Sequence, residues 1–321
     1  MIKSILLVGC GNIGSRHLQA LVQLQTPVEI HIVEKSNNSQ KLAKLRLDEI
    51  SYDKTNHSIF WYKSLNDVKK TGNLAIIATL SPGRIKIIIS LLKKGYKKFL
   101  IEKVVCQSKK EYELLLKQMK LFNAKGWVNN NRRYFDSYQQ IKNSLKKSKY
   151  IQLNVFAKNS GLGSNTIHFM DLFSWFLNDY KIKLNGDFLL PKLFKNKRGI
   201  NFKEFYGTVV GSNGIGSSMT LNFIPSSKTS IIVSISSDTH HYIIDELNQQ
   251  CYTMDDKKNL KFSFEYTSTL TTKIVTDILE RGTSLLPTLE KSFESHVEIF
   301  RMFNLHLKKI LKRHVNLCPI T

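Results

Sequence analysis

The sequence predicts an α/β chain of two domains, in which a parallel sheet covered by helices is followed by an α/β domain with a mostly antiparallel open sheet. Up to about residue 122, apolar runs of strand length alternate with stretches of helical period, which is typical of β-α-β units in a parallel sheet. Beyond that point, β-rich runs follow one another with few helices between them, as in an antiparallel sheet. The length of 321 residues suits two cores better than one.

The first half alternates strands with helices. We expect strands at 2–8, 28–33, 74–78 and 99–101, and helices at 16–24, 84–94 and 109–122. The turn-like run 123–126 interrupts this alternation. We therefore expect domains at 1–122 and 123–321.

The second half is mostly β. We expect helices at 138–145, 168–177 and about 289–312, and strands at 150–157, 205–210, 217–223, 230–236, 242–246 and 260–266. Neighbouring residues on a strand face opposite ways, so the pair His240-His241 predicts no metal site.

The composition and the charge distribution exclude two classes of partner and indicate where the protein is located. The formal charge is +23, but the basic residues are scattered along the chain, and no zinc finger, helix-turn-helix or basic-aromatic RNA motif accompanies them, so we expect no nucleic-acid partner. The four cysteines show no C-x-x-C spacing, which is typical of reduced thiols in a cytoplasmic protein. No apolar run approaches the ~18 residues of a membrane span, so we expect no membrane partner.

A glycine-rich turn follows the first strand. Residues 9–14, Gly9-Cys10-Gly11-Asn12-Ile13-Gly14, fit the pattern G-x-G-x-x-G and open a helix. In a dinucleotide-binding turn the first glycine permits the tight bend, the second lets the backbone approach the pyrophosphate, and the third lets the helix pack on the strand. This context predicts an N-terminal Rossmann domain with a dinucleotide at the helix N-terminus. A glycine-rich turn in an unrelated α/β protein is the alternative.

An acid ends the second strand. Glu34 lies twenty residues after Gly14, where a carboxylate accepts hydrogen bonds from the adenosine ribose and repels a 2′-phosphate. This favours NAD. Lys35 and Ser36 follow directly and are suited to a 2′-phosphate, so NADP stays open.

Further motifs follow in order along nearly the whole chain. They are GCGNIGSRH at 9–17, AIIAT at 75–79, IEK at 101–103, NRRY at 131–134, HFMDL at 168–172 and LPT at 286–288. In type, order and spacing these motifs resemble the Gfo/Idh/MocA family, the glucose–fructose oxidoreductase and inositol dehydrogenase group. The resemblance implies a Rossmann domain followed by an α/β domain whose open sheet often forms a subunit interface, and hence a homo-oligomer.

The resemblance also implies catalytic residues. Lys103 would hydrogen-bond the reacting oxygen and stabilise the developing alkoxide, and His168 would act as the base, because imidazole titrates near neutrality. A solvated lysine and a histidine that packs or caps its helix are the alternatives. Cofactor contacts are expected from Gly9, Gly11, Asn12, Ile13, Gly14, Glu34, Lys35, Thr79, Leu80 and Glu102, and substrate contacts from Arg84, Asn131, Arg133, Ser164 and Asn165.

Three positions depart from the family pattern. Ser164 stands where the inositol dehydrogenase-like pattern has Asp, so a carboxylate that would orient His168 is missing. Val104 replaces the proline of E-K-P, and because a cis bond before Val costs roughly 3 kcal/mol, a different presentation of Lys103 is expected. Arg84 stands where many relatives have His and adds a cation for the cofactor or substrate.

The resulting hypothesis is an NAD(P)-dependent oxidoreductase. It would transfer hydride between the nicotinamide and a hydroxyl carbon of a sugar or nucleotide-activated sugar, with surface polysaccharide synthesis as the suggested setting. The losses at Ser164 and Val104 keep a second hypothesis open, a dinucleotide-binding regulator or scaffold without turnover.

Overall fold

The computed structural model describes residues 2–53, 55–254, 259–263 and 265–321, with only the backbone described at 259–261. The chain forms two compact units. The first unit comprises Met1–Cys106, Lys110–Tyr134 and Glu265–Leu289, and the second comprises Gln107–Lys109, Phe135–Phe264 and Glu290–Thr321. The boundary expected at 122/123 therefore falls inside the first unit. That unit continues to Tyr134 and also contains the later segment Glu265–Leu289.

The elements follow the expected order with several additions. Up to residue 144 they are β1 (Lys3–Val8), α1 (Gly14–Leu21), β2 (Val28–Val33), α2 (Asn37–Asp48), β3 (His57–Tyr62), β4 (Leu74–Ile77), α3 (Arg84–Lys93), β5 (Lys98–Ile101), α4 (Lys109–Leu121), β6 (Lys125–Val128) and α5 (Asp136–Ser144). From residue 151 they are β7 (Ile151–Lys158), α6 (Leu162–Leu177), β8 (Lys183–Leu189), β9 (Phe194–Asn196), β10 (Gly199–Glu204), β11 (Gly207–Ser212), β12 (Ser218–Ile224), β13 (Ser230–Ser237), β14 (His241–Asp245), β15 (Gln250–Thr253), β16 (Asn259–Lys261), α7 (Thr267–Thr276) and α8 (Leu289–Leu311).

The first unit is built on a six-stranded sheet in the order β3-β2-β1-β4-β5-β6. All its strand pairs are parallel. Consecutive residues of β1, such as Ile5, Leu6 and Leu7, are fully buried, as expected for a strand covered on both faces. The strand order reverses between β1 and β4, and open α/β sheets bind ligands at the carboxyl ends of the strands beside such a reversal.

The later segment of the first unit, Glu265–Leu289, packs beside α1. The Thr272 hydroxyl on α7 donates to the Ala20 carbonyl of α1 over 2.9 Å, and the Val128 amide at the end of β6 donates to the Pro287 carbonyl over 3.0 Å. Sequence periodicity predicts neither α7 nor β6. Of the strand expected at 260–266, the described part continues only to Lys261, and residue 264 lies outside the described residues.

The second unit carries an eight-stranded sheet in the order β16-β15-β14-β13-β7-β12-β11-β8. Among its described strand pairs only β7 and β12 are parallel, so the sheet is mostly antiparallel, as expected. On its buried face Phe169 of α6 packs edge-on against Phe223 of β12, with ring centroids 6.2 Å apart. Along β7 every second residue is buried and the alternate ones, including Phe156, are exposed or half-buried, so one face of this sheet is open.

Within the described part of the chain, no helix is both long enough and apolar enough to cross a bilayer, and no group of three or more metal-binding side chains comes together.

Candidate functional site

Small or polar residues lie within two residues of the carboxyl ends of the parallel strands of the first unit. They are Gly9 after β1, Glu34 after β2, Thr79 after β4, Glu102 and Lys103 after β5, and Asn129 and Asn130 after β6. Because parallel strands end at one edge of the sheet, these residues line the edge at which such sheets bind ligands.

The three glycines of the turn have different surroundings. Gly9 has φ +85°, in the left-handed region that favours glycine. A Cβ on Gly14 would lie 2.0 Å from the Gly9 carbonyl oxygen, so no side chain fits there. Apart from its chain neighbours, the one described atom within 4 Å of a Cβ on Gly11 is the Ser39 hydroxyl oxygen, at 3.9 Å. The backbone at Gly11 therefore faces open space at the N-terminal end of α1, where helix N–H groups attract anions.

Glu34 is fixed against the turn. Its carboxylate accepts hydrogen bonds from the Cys10 amide over 2.7 Å and from the Ser36 amide over 2.8 Å. Burial, together with the Glu34 charge, raises the pKa of the Cys10 thiol to about 12, so this thiol is neutral and unreactive. Lys35 is exposed on the turn, and the Ser36 side chain caps α2 by accepting from the Ser39 amide.

Arg46 adds a cation to the turn that the motif does not indicate. From α2, its guanidinium donates to the Asn12 carbonyl and to the Ser15 hydroxyl, each over 2.6 Å. It lies 34 residues from Asn12, and no spacing rule links the two. A cation bound at the glycine turn suits an anionic group in the open space at Gly11.

Glu102 is held by a buried network within the first unit. The ring of His17 lies 3.0 Å from its carboxylate, and the Asn129 amide donates to the same oxygen over 2.5 Å. The other nitrogen of the His17 ring lies 2.8 Å from the Thr271 hydroxyl. Burial alone would raise the pKa of Glu102, but the hydrogen bonds and charges of His17, Asn129 and Lys103 lower it to about 2. Glu102 is therefore a carboxylate throughout the neutral range.

Arg84 does not occupy the position expected of a substrate contact. Its side chain is fully buried, and its guanidinium donates to the carbonyls of Glu102, Val104 and Thr79. Since β4 and β5 are neighbours in the sheet, one guanidinium joins the loops that follow both strands. Arg84 thus holds the backbone of the site in place. This corrects the expectation that its guanidinium contacts the substrate.

Lys103 lies between two of the carbonyls that Arg84 binds and is 8% exposed. The peptide bond between Lys103 and Val104 is cis, so the bond geometry inferred from the missing proline is wrong. Both flanking carbonyls are held by Arg84, which fixes the backbone on each side of this lysine.

Several buried polar atoms at the same edge have no hydrogen-bond partner within the described residues. They are the Thr79 hydroxyl, the Asn129 side-chain oxygen and both polar atoms of the Asn130 side chain. Buried polar groups are rarely left unsatisfied, so this edge fits a polar ligand that would supply the missing partners. Leu80 beside Thr79 is exposed.

Asn131 and Arg133 lie on a short 3-10 turn that follows β6. Arg133 is buried, and its guanidinium donates to the Leu285 carbonyl over 3.3 Å. Part of its donor capacity is therefore used within the protein. Asn131 is half-buried.

In the second unit, α6 carries the remaining predicted residues. The helix starts at Leu162, six residues before the expected start, so His168 lies in its second turn and is half-buried. Asn165 turns back and donates to the Gly161 carbonyl over 2.8 Å. The Ser164 hydroxyl donates to the Glu204 carboxylate over 2.7 Å. No motif in the sequence indicates Glu204, because it arrives from β10.

Known structures share this fold. No protein-family model matches the sequence, and neither does any curated protein. A structure of GenD2 from gentamicin A biosynthesis in complex with NAD matches with a TM-score of 0.70 at 14% identity, over 98% of this chain and 96% of that chain. A structure of UDP-N-acetylglucosamine 3-dehydrogenase GnnA from Acidithiobacillus ferrooxidans matches with a TM-score of 0.71 at 11% identity, over 97% and 99%.

A third match belongs to the family that the sequence motifs resemble. It is a Gfo/Idh/MocA family oxidoreductase from Vibrio cholerae, with a TM-score of 0.69 at 15% identity over 97% of this chain and 100% of that chain. Identities this low establish the fold and nothing finer. The chain has the fold of the Gfo/Idh/MocA oxidoreductases.

Proposed function

We propose that this protein is an NAD(P)-dependent oxidoreductase that acts on a hydroxyl carbon of a sugar or nucleotide-activated sugar. The observation that carries the proposal is the glycine turn, whose second glycine faces open space at the same sheet edge as Glu34 and Lys103. The solved structures of the same fold support it, because one is in complex with NAD and another is a UDP-N-acetylglucosamine 3-dehydrogenase. The same likeness to an enzyme of sugar nucleotides supports a role in surface polysaccharide synthesis.

The residues present fit a nicotinamide dinucleotide, which when bound supplies the hydride acceptor. The open backbone at Gly11 and the N-terminus of α1 would take the phosphates, with Arg46 beside them. Each Glu34 oxygen accepts one hydrogen bond within the protein and keeps capacity for a ribose hydroxyl. This arrangement favours NAD, while exposed Lys35 keeps NADP as the second choice.

Lys103 and His168 would have different roles at the reacting hydroxyl group. The Lys103 ammonium would donate a hydrogen bond to the reacting oxygen and stabilise negative charge there. His168 would take the proton that leaves this oxygen.

Filling the space at Gly11 tests the cofactor site without requiring a substrate. Gly11→Leu is expected to raise the dissociation constant for NADH at least roughly 30-fold, because the side chain would occupy the phosphate position. Its melting temperature should stay close to that of the wild type, since among the described residues other than its chain neighbours only the Ser39 hydroxyl oxygen lies within 4 Å of the new Cβ, at 3.9 Å. Binding is measured by NADH fluorescence titration.

Gly11→Ala is the matched control and should weaken binding far less, because it adds only a methyl group. A wild-type protein that does not bind NADH, or a Gly11→Leu protein that binds it equally well, would contradict the cofactor site. A dinucleotide-binding regulator would give the same binding results, and NADH formation with any sugar or nucleotide-sugar would exclude it.

The open face of the second sheet supports a homo-oligomer. Phe156 on β7 is 53% exposed and Tyr252 on β15 is 38% exposed, so the face offers large apolar groups to a second copy. Phe156→Asp is expected to shift the mass measured by light scattering towards the monomer. Ile200→Asp is the control, because Ile200 is also apolar and exposed but lies on the separate two-stranded sheet. A monomeric wild type, or equal masses for all three proteins, would contradict this interface.

A further inference from the structure

A cavity of about 680 Å³ lies within the second unit, and none of the residues predicted for the cofactor or the sugar lines it. Its lining comes from Leu193, Lys203 of β10, the end of α8 and the segment that follows α8. Small-molecule sites have volumes of roughly 300 to 1,000 Å³. The cavity is therefore large enough for a ligand of its own.

The walls of the cavity are mainly apolar. Leu307 and Leu311 lie four residues apart on α8 and so share one face of the helix. Leu307 is 1% exposed, whereas Leu311 is 39% exposed and Leu317 of the following segment is 55% exposed. An apolar chain in the cavity would remove the two exposed leucine side chains from water, which favours binding.

Backbone hydrogen bonds fix the segment after α8. The Lys203 amide donates to the Pro319 carbonyl and the Cys318 amide donates to the Gln107 carbonyl, each over 2.8 Å. The Cys318 side chain itself is fully buried. The lining is therefore held in place by the protein alone, as is usual for small-molecule sites.

The described residues that line the cavity include basic side chains and no acid. Arg313, His314 and Lys203 contribute to the lining. Among the described residues, none accepts a hydrogen bond from the Arg313 guanidinium or the His314 ring. The Lys203 ammonium donates to the Ile200 carbonyl over 3.0 Å and keeps further N–H groups for a ligand. Glu204, the next residue of β10, points to the opposite face of the strand, where it is buried.

The neighbouring segments contribute positive charge as well. Residues 190–203 and 305–319 contain no Asp or Glu. The helix macrodipole accounts for the lysines in the last turn of α8, one of which also pairs with Asp187. It does not account for Lys203 and Arg313, which lie on β10 and beyond the end of α8. Positive charge beside apolar walls attracts an anion that carries an apolar chain.

We propose that this cavity binds one amphipathic anion, whose apolar chain lies against Leu307 and Leu311 and whose phosphate or carboxylate group meets Arg313 and Lys203. A guanidinium holds either group through two parallel hydrogen bonds, and an ammonium beside it adds a point charge. The inference does not rest on the proposed function, because its site lies wholly in the second unit and is tested by binding alone.

Titration calorimetry with dodecyl phosphate, kept below its critical micelle concentration, tests the site. One molecule should bind per chain, at least roughly tenfold more tightly than inorganic phosphate, which lacks the chain, or dodecyltrimethylammonium, which carries the opposite charge. Equal affinity for inorganic phosphate would leave only a cationic surface, and equal affinity for dodecyltrimethylammonium would leave only an apolar one. Either result, or no binding of dodecyl phosphate, would overturn the proposal.

Arg313→Glu locates the anionic group and should weaken the binding of dodecyl phosphate roughly tenfold or more. Arg198→Glu is the matched control, because it changes the net charge equally but lies in the turn between β9 and β10, outside the lining. It should leave the affinity within about twofold of the wild type. Equal losses in both variants would show attraction by the net charge and would contradict the site.

Leu311→Asp locates the apolar chain and should also weaken binding roughly tenfold or more. Leu305→Asp is the control, because Leu305 is likewise on α8 and is 48% exposed but lies outside the lining. Since both leucines are exposed, the melting temperatures of both variants should stay close to that of the wild type. Unchanged affinity in Leu311→Asp, or an equal loss in Leu305→Asp, would contradict the apolar part of the site.

Vesicles of phosphatidylcholine and phosphatidylserine identify the source of the amphiphile. Cosedimentation that Leu311→Asp abolishes would assign the anion to a membrane lipid, whereas dodecyl phosphate binding without such cosedimentation would assign it to a free amphiphile. Cosedimentation without dodecyl phosphate binding would replace the cavity with a charged surface and would overturn the proposal.

Discussion

Lys103→Met is expected to lower turnover roughly 100- to 10,000-fold while leaving NADH affinity and melting temperature nearly unchanged. The ammonium is the donor proposed for the reacting oxygen, and removing such a group from a site shielded from water typically costs two to four orders of magnitude, about 3 to 5 kcal/mol. Met keeps the length and apolar stem of a side chain that is 8% exposed, so packing should survive. The rate of NADH formation is measured with NAD and a panel of nucleotide-sugars and free polyols.

A second lysine, which lies on the strand just before Lys103, provides the control. Lys98 on β5 donates to the Ile278 carbonyl over 3.2 Å and is half-buried, so Lys98→Met also removes a hydrogen-bonded ammonium from the first unit. It should lower the melting temperature slightly and leave turnover intact. If Lys103→Met turns over any active substrate as fast as the wild type, the proposed mechanism is wrong.

The parts of the site that the sequence predicts are those set by local geometry. The roles of Gly9 and Gly14 follow from the bend after one strand and from helix packing directly behind it, and the φ of Gly9 and the 2.0 Å approach at Gly14 show both constraints. Glu34 is similar, because the length of one α-β crossover sets its distance from the turn. The parallel sheet and the mostly antiparallel sheet also follow from patterns within single segments.

Contacts between distant segments could not be predicted in this way. The ring of His17 meets Thr271, 254 residues away, and only the return of α7 to the first unit brings them together. The same limit applies to Glu204, which reaches Ser164 from a strand 40 residues later. Arg84 was expected to contact the cofactor or substrate because, by the family resemblance, it stands where many relatives have His. The pairing of β4 with β5 instead surrounds it with backbone carbonyls.

Arg84→Met is therefore expected to destabilise the first unit by about 3 to 5 kcal/mol. Three carbonyls, those of Thr79, Glu102 and Val104, would lose a charged donor in a fully buried place, and a buried acceptor without a partner costs about 1 to 3 kcal/mol. Faster hydrogen exchange in peptides that cover β4 and β5, with unchanged exchange in β7 and β12, would locate the effect in this unit. Turnover should fall as well, because the backbone on both sides of Lys103 loses its anchor.

Two further variants separate this backbone role from a substrate contact. Arg84→Lys keeps the charge but cannot span three carbonyls, so it should lie between the wild type and Arg84→Met in stability. Arg301→Met removes a guanidinium that donates to the Leu184 carbonyl and to Glu298, and it should speed exchange only in the second unit. Wild-type exchange in Arg84→Met, accompanied by a higher Michaelis constant for the sugar, would return Arg84 to the substrate contact that its sequence position suggests.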